Sequence, residues 1–141
     1  MILPDVNVVL YAFRSDTQNH NVVRAWLDLV INGDAIYGMS PQVLASVLRL
    51  ATNPRIFSRP SQTNDVLQFA SLLLDQSHCQ IIQPGSRHWS IFRNLCQDAN
   101  AKGNLVQDAW FAALAIESGC EWITTDRDFA RFPGLRWRTP L

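Results

Sequence analysis

Apolar residues in this chain follow two rhythms. Short unbroken runs at Met1 to Pro4, Ala35 to Met39, Cys79 to Gln83 and Glu121 to Thr124 predict buried strands, with a last short strand at Leu135 to Trp137. Between them, apolar positions recur every three or four residues, the period of a helix with one face inward. Val6 to Phe13 predicts a buried helix that follows the first strand directly. Val22, Val23, Trp26, Leu27 and Val30 mark a helix over His20 to Ile31, stopped by Gly33. Ser40 and Pro41 form a helix start for Gln42 to Thr52, which Asn53 and Pro54 end. Further helices are predicted over Asn64 to Gln76 and Arg87 to Ala101. After Gly103, Asn104 is placed to cap "LVQDAWFAALAIES", and Gly119 to end it. Residues 53–63, "NPRIFSRPSQT", and the "TDRDFARFPG" stretch predict loops.

Short apolar strands alternating with longer helices indicate an α/β fold with a short, mainly parallel sheet. A chain of 141 residues without repeats, linkers or low-complexity tracts is expected to form one domain over residues 1–141. With 48% hydrophobic residues it carries enough apolar side chains to exclude disorder, and no apolar run approaches the roughly 20 residues of a membrane span. Asp5 falls where a secretion signal would need basic and then apolar residues, so a cytoplasmic location is expected. Cys79, Cys96 and Cys120 are odd in number and widely spaced, which argues against a disulfide framework or zinc site. His20, His78 and His88 share no helical face.

Net charge is zero, yet its makeup is uneven. Eleven of the twelve cations are Arg and ten of the twelve anions are Asp, so local acidic and Arg-rich regions are compatible with a neutral total. Parallel sheets bind ligands beyond the carboxyl ends of their strands. Asp5 lies just past the first strand, Asp126 and Asp128 just past a late one, and Asp108 near the start of the helix that leads into that strand. Singly, each has an ordinary explanation as a cap, a dipole partner or a solvated turn. Together at one edge they would repel and raise one another's pKa values. A hard divalent cation, Mg²⁺ or Mn²⁺, would relieve that repulsion and could serve phosphate chemistry. Asn7 and Thr124 are expected to hold the carboxylates in place by hydrogen bonds.

The stretches "LPDVNVVLYAFR", "SVLRLATNPRIF", "GNLVQDAWFAALAIESG", "TTDRDFARFPGLRW" and the closing "PL" resemble the PIN-domain family, specifically its VapC-like toxins of toxin–antitoxin pairs. The resemblance runs from Ile2 to Leu141. It implies a three-layer α/β/α sandwich, a Mg²⁺- or Mn²⁺-dependent endoribonuclease, dimerisation, and a cognate antitoxin whose tail fills the active groove. Asp5, Asp108 and Asp126 match the family's metal-binding acids, Asp128 its second aspartate of the "TxDxDF" motif, and Thr124 and Asn7 the threonine and early asparagine. Two positions depart from it. Ser46 stands where many members carry glutamate, and Trp110 where many carry histidine.

The expected mechanism is hydrolysis of an RNA phosphodiester at a metal held by Asp5 and Asp108 with Asp126, while Asp128 orients the group. Arg14, Arg49, Arg55, Arg59, Arg127 and Arg131 flank the acidic motifs and are the expected phosphate contacts, with internal salt bridges as the alternative for each. Two other readings stay open. Ser46 would suit a module that binds RNA or an antitoxin without efficient cleavage. A Mg²⁺-dependent phosphotransfer domain would make Asp5 a nucleophile, but the only lysine, Lys102, lies outside every predicted strand.

Overall fold

A computed structural model describes residues 1–141. The chain runs β1 (Ile2–Pro4), α1 (Val6–Phe13), α2 (His20–Asn32), β2 (Tyr37–Met39), α3 (Pro41–Ala51), α4 (Thr63–Leu74), β3 (Cys79–Ile81), α5 (His88–Ala99), α6 (Asn104–Ser118), β4 (Glu121–Ile123) and β5 (Trp137–Arg138). A 3₁₀ turn over Arg127–Arg131 occupies the stretch read from sequence as loop. Asn104 is the first residue of α6 rather than its cap. Gly103, at φ 57, takes the capping position and offers no side chain.

All strand pairs are parallel, and the hydrogen-bonded order is β1-β4-β5 in one piece and β2-β3 in another. The two pieces meet where β2 lies against β1. A Cβ built on Gly38 would stand 3.2 Å from the Ile2 carbonyl oxygen and 2.8 Å from Ile82 Cγ1, so the absence of a side chain there is what lets the backbones approach. Spatially the strands run β5, β4, β1, β2, β3. The chain therefore steps one way from β1 to β3 and back again to β4. Right-handed crossovers put α1 to α4 on one face and α5 with α6 on the other, in keeping with the contacts of α1 with α2 and α3, of α3 with α4, and of α5 with α6. This is the expected α/β/α sandwich.

One cluster of 28 buried apolar residues fills both layers, with Leu3, Tyr37, Met39, Trp122 and Phe129 among its fully buried members. Trp122 stacks near Phe111 and tilts against Phe129, which fixes the 3₁₀ turn to β4 and α6. The three cysteines are free, and no helix is long and apolar enough to cross a membrane. The direction of the crossovers changes between β1 and β4, which is where an open parallel sheet leaves a crevice at its carboxyl edge.

Gly38→Ala should destabilise the protein by about 1–3 kcal/mol, because the added methyl meets an inner side-chain carbon and a backbone oxygen that cannot both retreat. Chemical denaturation of the two proteins measures the difference.

Candidate active site

Asp5 stands at the crevice because the chain turns there from β1 into α1. Its amide donates to the Ile123 carbonyl at 2.8 Å, extending the β1–β4 ladder by one residue. Its side chain caps α1 by accepting from the Val6 amide at 2.6 Å. The other carboxylate oxygen accepts from the Thr124 hydroxyl at 2.6 Å. That hydroxyl in turn accepts from the Asp126 amide at 3.0 Å and the Asn7 side-chain amide at 3.4 Å. Asn7 Oδ1 accepts from the Thr125 amide at 3.4 Å. One buried threonine thus ties the end of β1 to the loop after β4. Asp126 caps the 3₁₀ turn by accepting from the Asp128 amide at 2.9 Å.

Three helices close the cleft, each with a stripe at helical spacing. From α1 come Asn7, Leu10 and Tyr11; from α3, Ser46, Arg49 and Leu50; from α6, Asn104, Gln107, Asp108 and Phe111. With Asp5 and Asp126 they enclose about 360 Å³. An apolar hollow of about 480 Å³ between α2 and the amino ends of β1 and β2 has Asp34 as its only carboxylate and offers no comparable chemistry.

Electrostatics single out the same residues. Burial pushes the Asp5 carboxyl up to about 7, against the hydrogen bonds from Thr124 and Val6, and the charges on Asp108 and Asp126 push the same way. Burial, then Asp126 and Asp128, raise Asp108 to about 6. These couplings place all four sequence-predicted aspartates in one field. Three of them line the cleft, whereas Asp128 is exposed at its edge.

No three acidic, histidine or cysteine side chains converge closely enough to enclose an ion on their own. The donor set nevertheless fits Mg²⁺ or Mn²⁺: the groups are hard carboxylate oxygens, their mutual repulsion is uncompensated, and Mg²⁺ takes only one or two carboxylates directly while keeping its waters. Asp5, Asp108 and Asp126 are the residues that could hold such an ion.

The expected arginines divide. Arg49 lines the cleft. Arg127 is exposed beside Thr125 and Trp137 in a separate hollow, and Arg55, Arg59 and Arg131 are exposed. Arg14 departs from the expectation of a phosphate contact. It is buried, forks onto Asp16, donates to Ser61 Oγ and the Arg59 carbonyl, and lies 3.8 Å over the Phe57 ring. Trp110 packs against His88, whose Nε2 meets the Trp110 carbonyl at 3.0 Å. Tyr11, Asn104 and Gln107 are cleft residues that the sequence reading missed. Their signal was helical spacing from Asn7 and Asp108, legible once those two were accepted as site residues.

The PIN-domain family model matches residues 2–135. The chain belongs to the PIN-domain family. This PIN domain is 42% identical over its whole length, and over 96% of the relative, to a VapC ribonuclease of Mycobacterium bovis. It is 43% identical to ribonuclease VapC25 of Mycobacterium tuberculosis over 99% of both chains. Its fold is similar to that of the VapBC2 structure from Rickettsia felis, bound to a promoter DNA fragment, with TM-score 0.71 and 19% identity over 99% of this chain and 98% of the other. It is similar too to Mycobacterium tuberculosis VapC20, described as a sarcin–ricin loop cleaving toxin, with TM-score 0.65 and 15% identity over 96% and 99% of the two chains. Full-length likeness at this level places the PIN domain among the VapC-like members.

A carboxyl whose pKa is higher folded than unfolded binds its proton more tightly in the folded state, so its ionisation weakens the fold as pH rises through that window. With chelator present, the PIN domain should therefore melt at higher temperature near pH 5 than near pH 8, the loss setting in above the ordinary carboxyl value of 3.8 and ending as pH passes about 6 for Asp108 and about 7 for Asp5. Asp5→Asn should narrow the difference. Thermal melts of the two proteins across that range test it, and equal pH dependence would contradict the assigned burial of charge.

Proposed function

We propose that this PIN domain is a Mg²⁺- or Mn²⁺-dependent endoribonuclease, the toxin of a toxin–antitoxin pair, acting on single-stranded or structured RNA in the cytoplasm. The observation that carries the reading is the meeting of Asp5, Asp108 and Asp126 in one cleft at the topological switch point, with two of the three carboxyls raised by burial and then by one another's negative charge. The relatives named as ribonucleases support the activity, and a VapBC-1 structure from Haemophilus influenzae of similar fold supports an antitoxin partner. A homodimer belongs to the same reading.

Asp5, Asp108 and Asp126 would hold the ion. When bound, Mg²⁺ or Mn²⁺ neutralises phosphodiester charge and makes water a stronger nucleophile. Thr124 fixes one Asp5 oxygen by its hydrogen bond, which sets the orientation of the carboxylate that would hold the ion. Asn7 braces that threonine from α1. Asp128 adds negative potential at the rim, where it reaches Asp108. Arg49, on the α3 wall, offers a guanidinium to a substrate phosphate, and Arg127 offers another beyond Asp126.

Asp5→Asn and Asp108→Asn should each lower Mn²⁺-dependent, chelator-sensitive cleavage of a labelled RNA by at least ~10²-fold, the scale of loss when charge stabilisation at a reacting centre is removed. Circular dichroism checks that the fold survives. Undiminished product from both variants would overturn the reading.

A second reading draws on Ser46, which lies in the cleft wall where the family resemblance implies a glutamate. In that case the domain binds RNA or its antitoxin and cuts poorly. Ser46→Glu should then raise Mn²⁺-dependent cleavage and tighten the metal's half-saturation. If the substitution changes neither, the serine is no deficit.

A further inference from the structure

We infer that the loop over residues 52–62 is an RNA-backbone arm of the cleft, and that Arg14 is the positioning residue that holds it there. The inference rests on the RNA-cleaving reading above and names a further part of the same binding site.

Asn7, Leu10 and Tyr11 line the cleft from α1, and Arg14, the extended residue that ends the helix, follows Leu10 and Tyr11 by four and three residues, one turn beyond that stripe. Beside them Ser46, Arg49 and Leu50 line the cleft from α3, which packs against α1, and the chain leaves α3 directly into the loop. The wall formed by these two helices thus leads from the acidic centre toward the loop that Arg14 grips. At 1.5 Å per residue, Asn7 and Arg14 are only ~10 Å apart along the axis of α1.

The grip is heavily built for a surface loop. Arg14 is 8% exposed. Its Nη1 donates to Ser61 Oγ at 2.8 Å and its Nη2 to the Arg59 carbonyl at 2.9 Å, while Asp16 takes both Nε and Nη2. Its guanidinium covers Phe57. Apart from the bonds of Thr52, Asn53 and Gln62 to the ends of α3 and α4, the loop's own ties are Arg55 N to Asn53 Oδ1, Ile56 N and Phe57 N to the Asn53 carbonyl, and Ser61 N to the Ala51 carbonyl. Burying a guanidinium is favourable only with such complete pairing.

What the clamp presents outward is Arg55 and Arg59. Both are exposed, and neither is in an ion pair; the chain's three pairs are Arg14–Asp16, Arg24–Asp28 and Arg138–Glu121. Two unneutralised guanidiniums on a preordered loop suit the phosphates of an RNA strand leaving the acidic centre. Ordering the loop in advance lowers the entropy lost on binding.

The test measures binding of a fluorescein-labelled unstructured RNA in the Asp108→Asn background, so that the RNA survives, across a range of salt concentrations. Arg55→Ala with Arg59→Ala should weaken binding on the order of tenfold and lower the salt slope by about 1.4, the value for two lost phosphate contacts on a single strand. Arg14→Lys keeps the charge but loses the fork, and should weaken binding with the melting temperature still well above that of the assay. In the cleaving protein the same change should raise KM far more than it lowers kcat. Combined with the two alanines it should add no further loss, since Arg14 acts through that loop. Should Arg14→Lys fail to fold, Ser61→Ala removes one anchor from the loop side and carries the same expectation. RNA binding unchanged in affinity and slope by the two alanines overturns this inference and leaves the nuclease reading standing, including the case where a protein partner's binding is lost instead. Fully additive losses overturn the role of Arg14. Absence of both RNA binding and wild-type cleavage overturns the nuclease reading, and this one with it.

Discussion

Asp5 is acidic, buried and placed at the point where a strand becomes a helix at the switch of the sheet. Its backbone closes the β1–β4 ladder, one carboxylate oxygen caps α1, and the other receives Thr124 from the end of β4. The three bonds fix its position, yet burial, with the charges of Asp108 and Asp126 behind it, still raises its carboxyl to about 7. A side chain that satisfied packing alone would be apolar here. The cost of a buried carboxylate is tolerated because the surrounding fold over-determines it, which is the usual condition at functional sites.

The rest of the cleft follows from that placement. With β1 and β4 adjacent and parallel, the loop after β4 must pass Asp5, so Asp126 and Asp128 arrive at the same edge without being near it in sequence. The reversal of crossover direction puts α1 and α3 on one side of the crevice and α6 on the other, so stripes from opposite layers face each other across it. Thr124 links the two sides: a single hydroxyl serves Asp5, Asp126 and Asn7, and any shift of one is felt by the others.

Charge is distributed with the same economy. The protein is neutral overall, yet the cleft is acidic at its centre and has arginine on its wall and beyond its rim. Arg14 and Arg49 illustrate how position decides what a guanidinium does. Both lie on helices that line the cleft, but Arg49 is exposed at the wall while Arg14 is consumed by Asp16, Ser61 and the Arg59 carbonyl.

The sequence by itself determined the element order, the parallel α/β class and the identity of the acidic residues, because hydrophobic period, glycine and proline punctuation and short motifs are local properties of the chain. It located β1, α1, β4 and α6 to within a residue or two, and it placed Asp5, Asp108 and Asp126 at one edge. Asn104 was misassigned as a cap since the positive φ of Gly103 leaves no sequence mark beyond the glycine itself. Tertiary structure alone decided which polar groups meet: that Thr124 donates to Asp5, that Tyr11, Asn104 and Gln107 join the cleft, and that Arg14 turns inward. Those outcomes depend on the distances between segments remote in sequence, up to 119 residues for Thr124 and Asp5, and on whether burial leaves a charged group with partners. Neither is written in any local pattern.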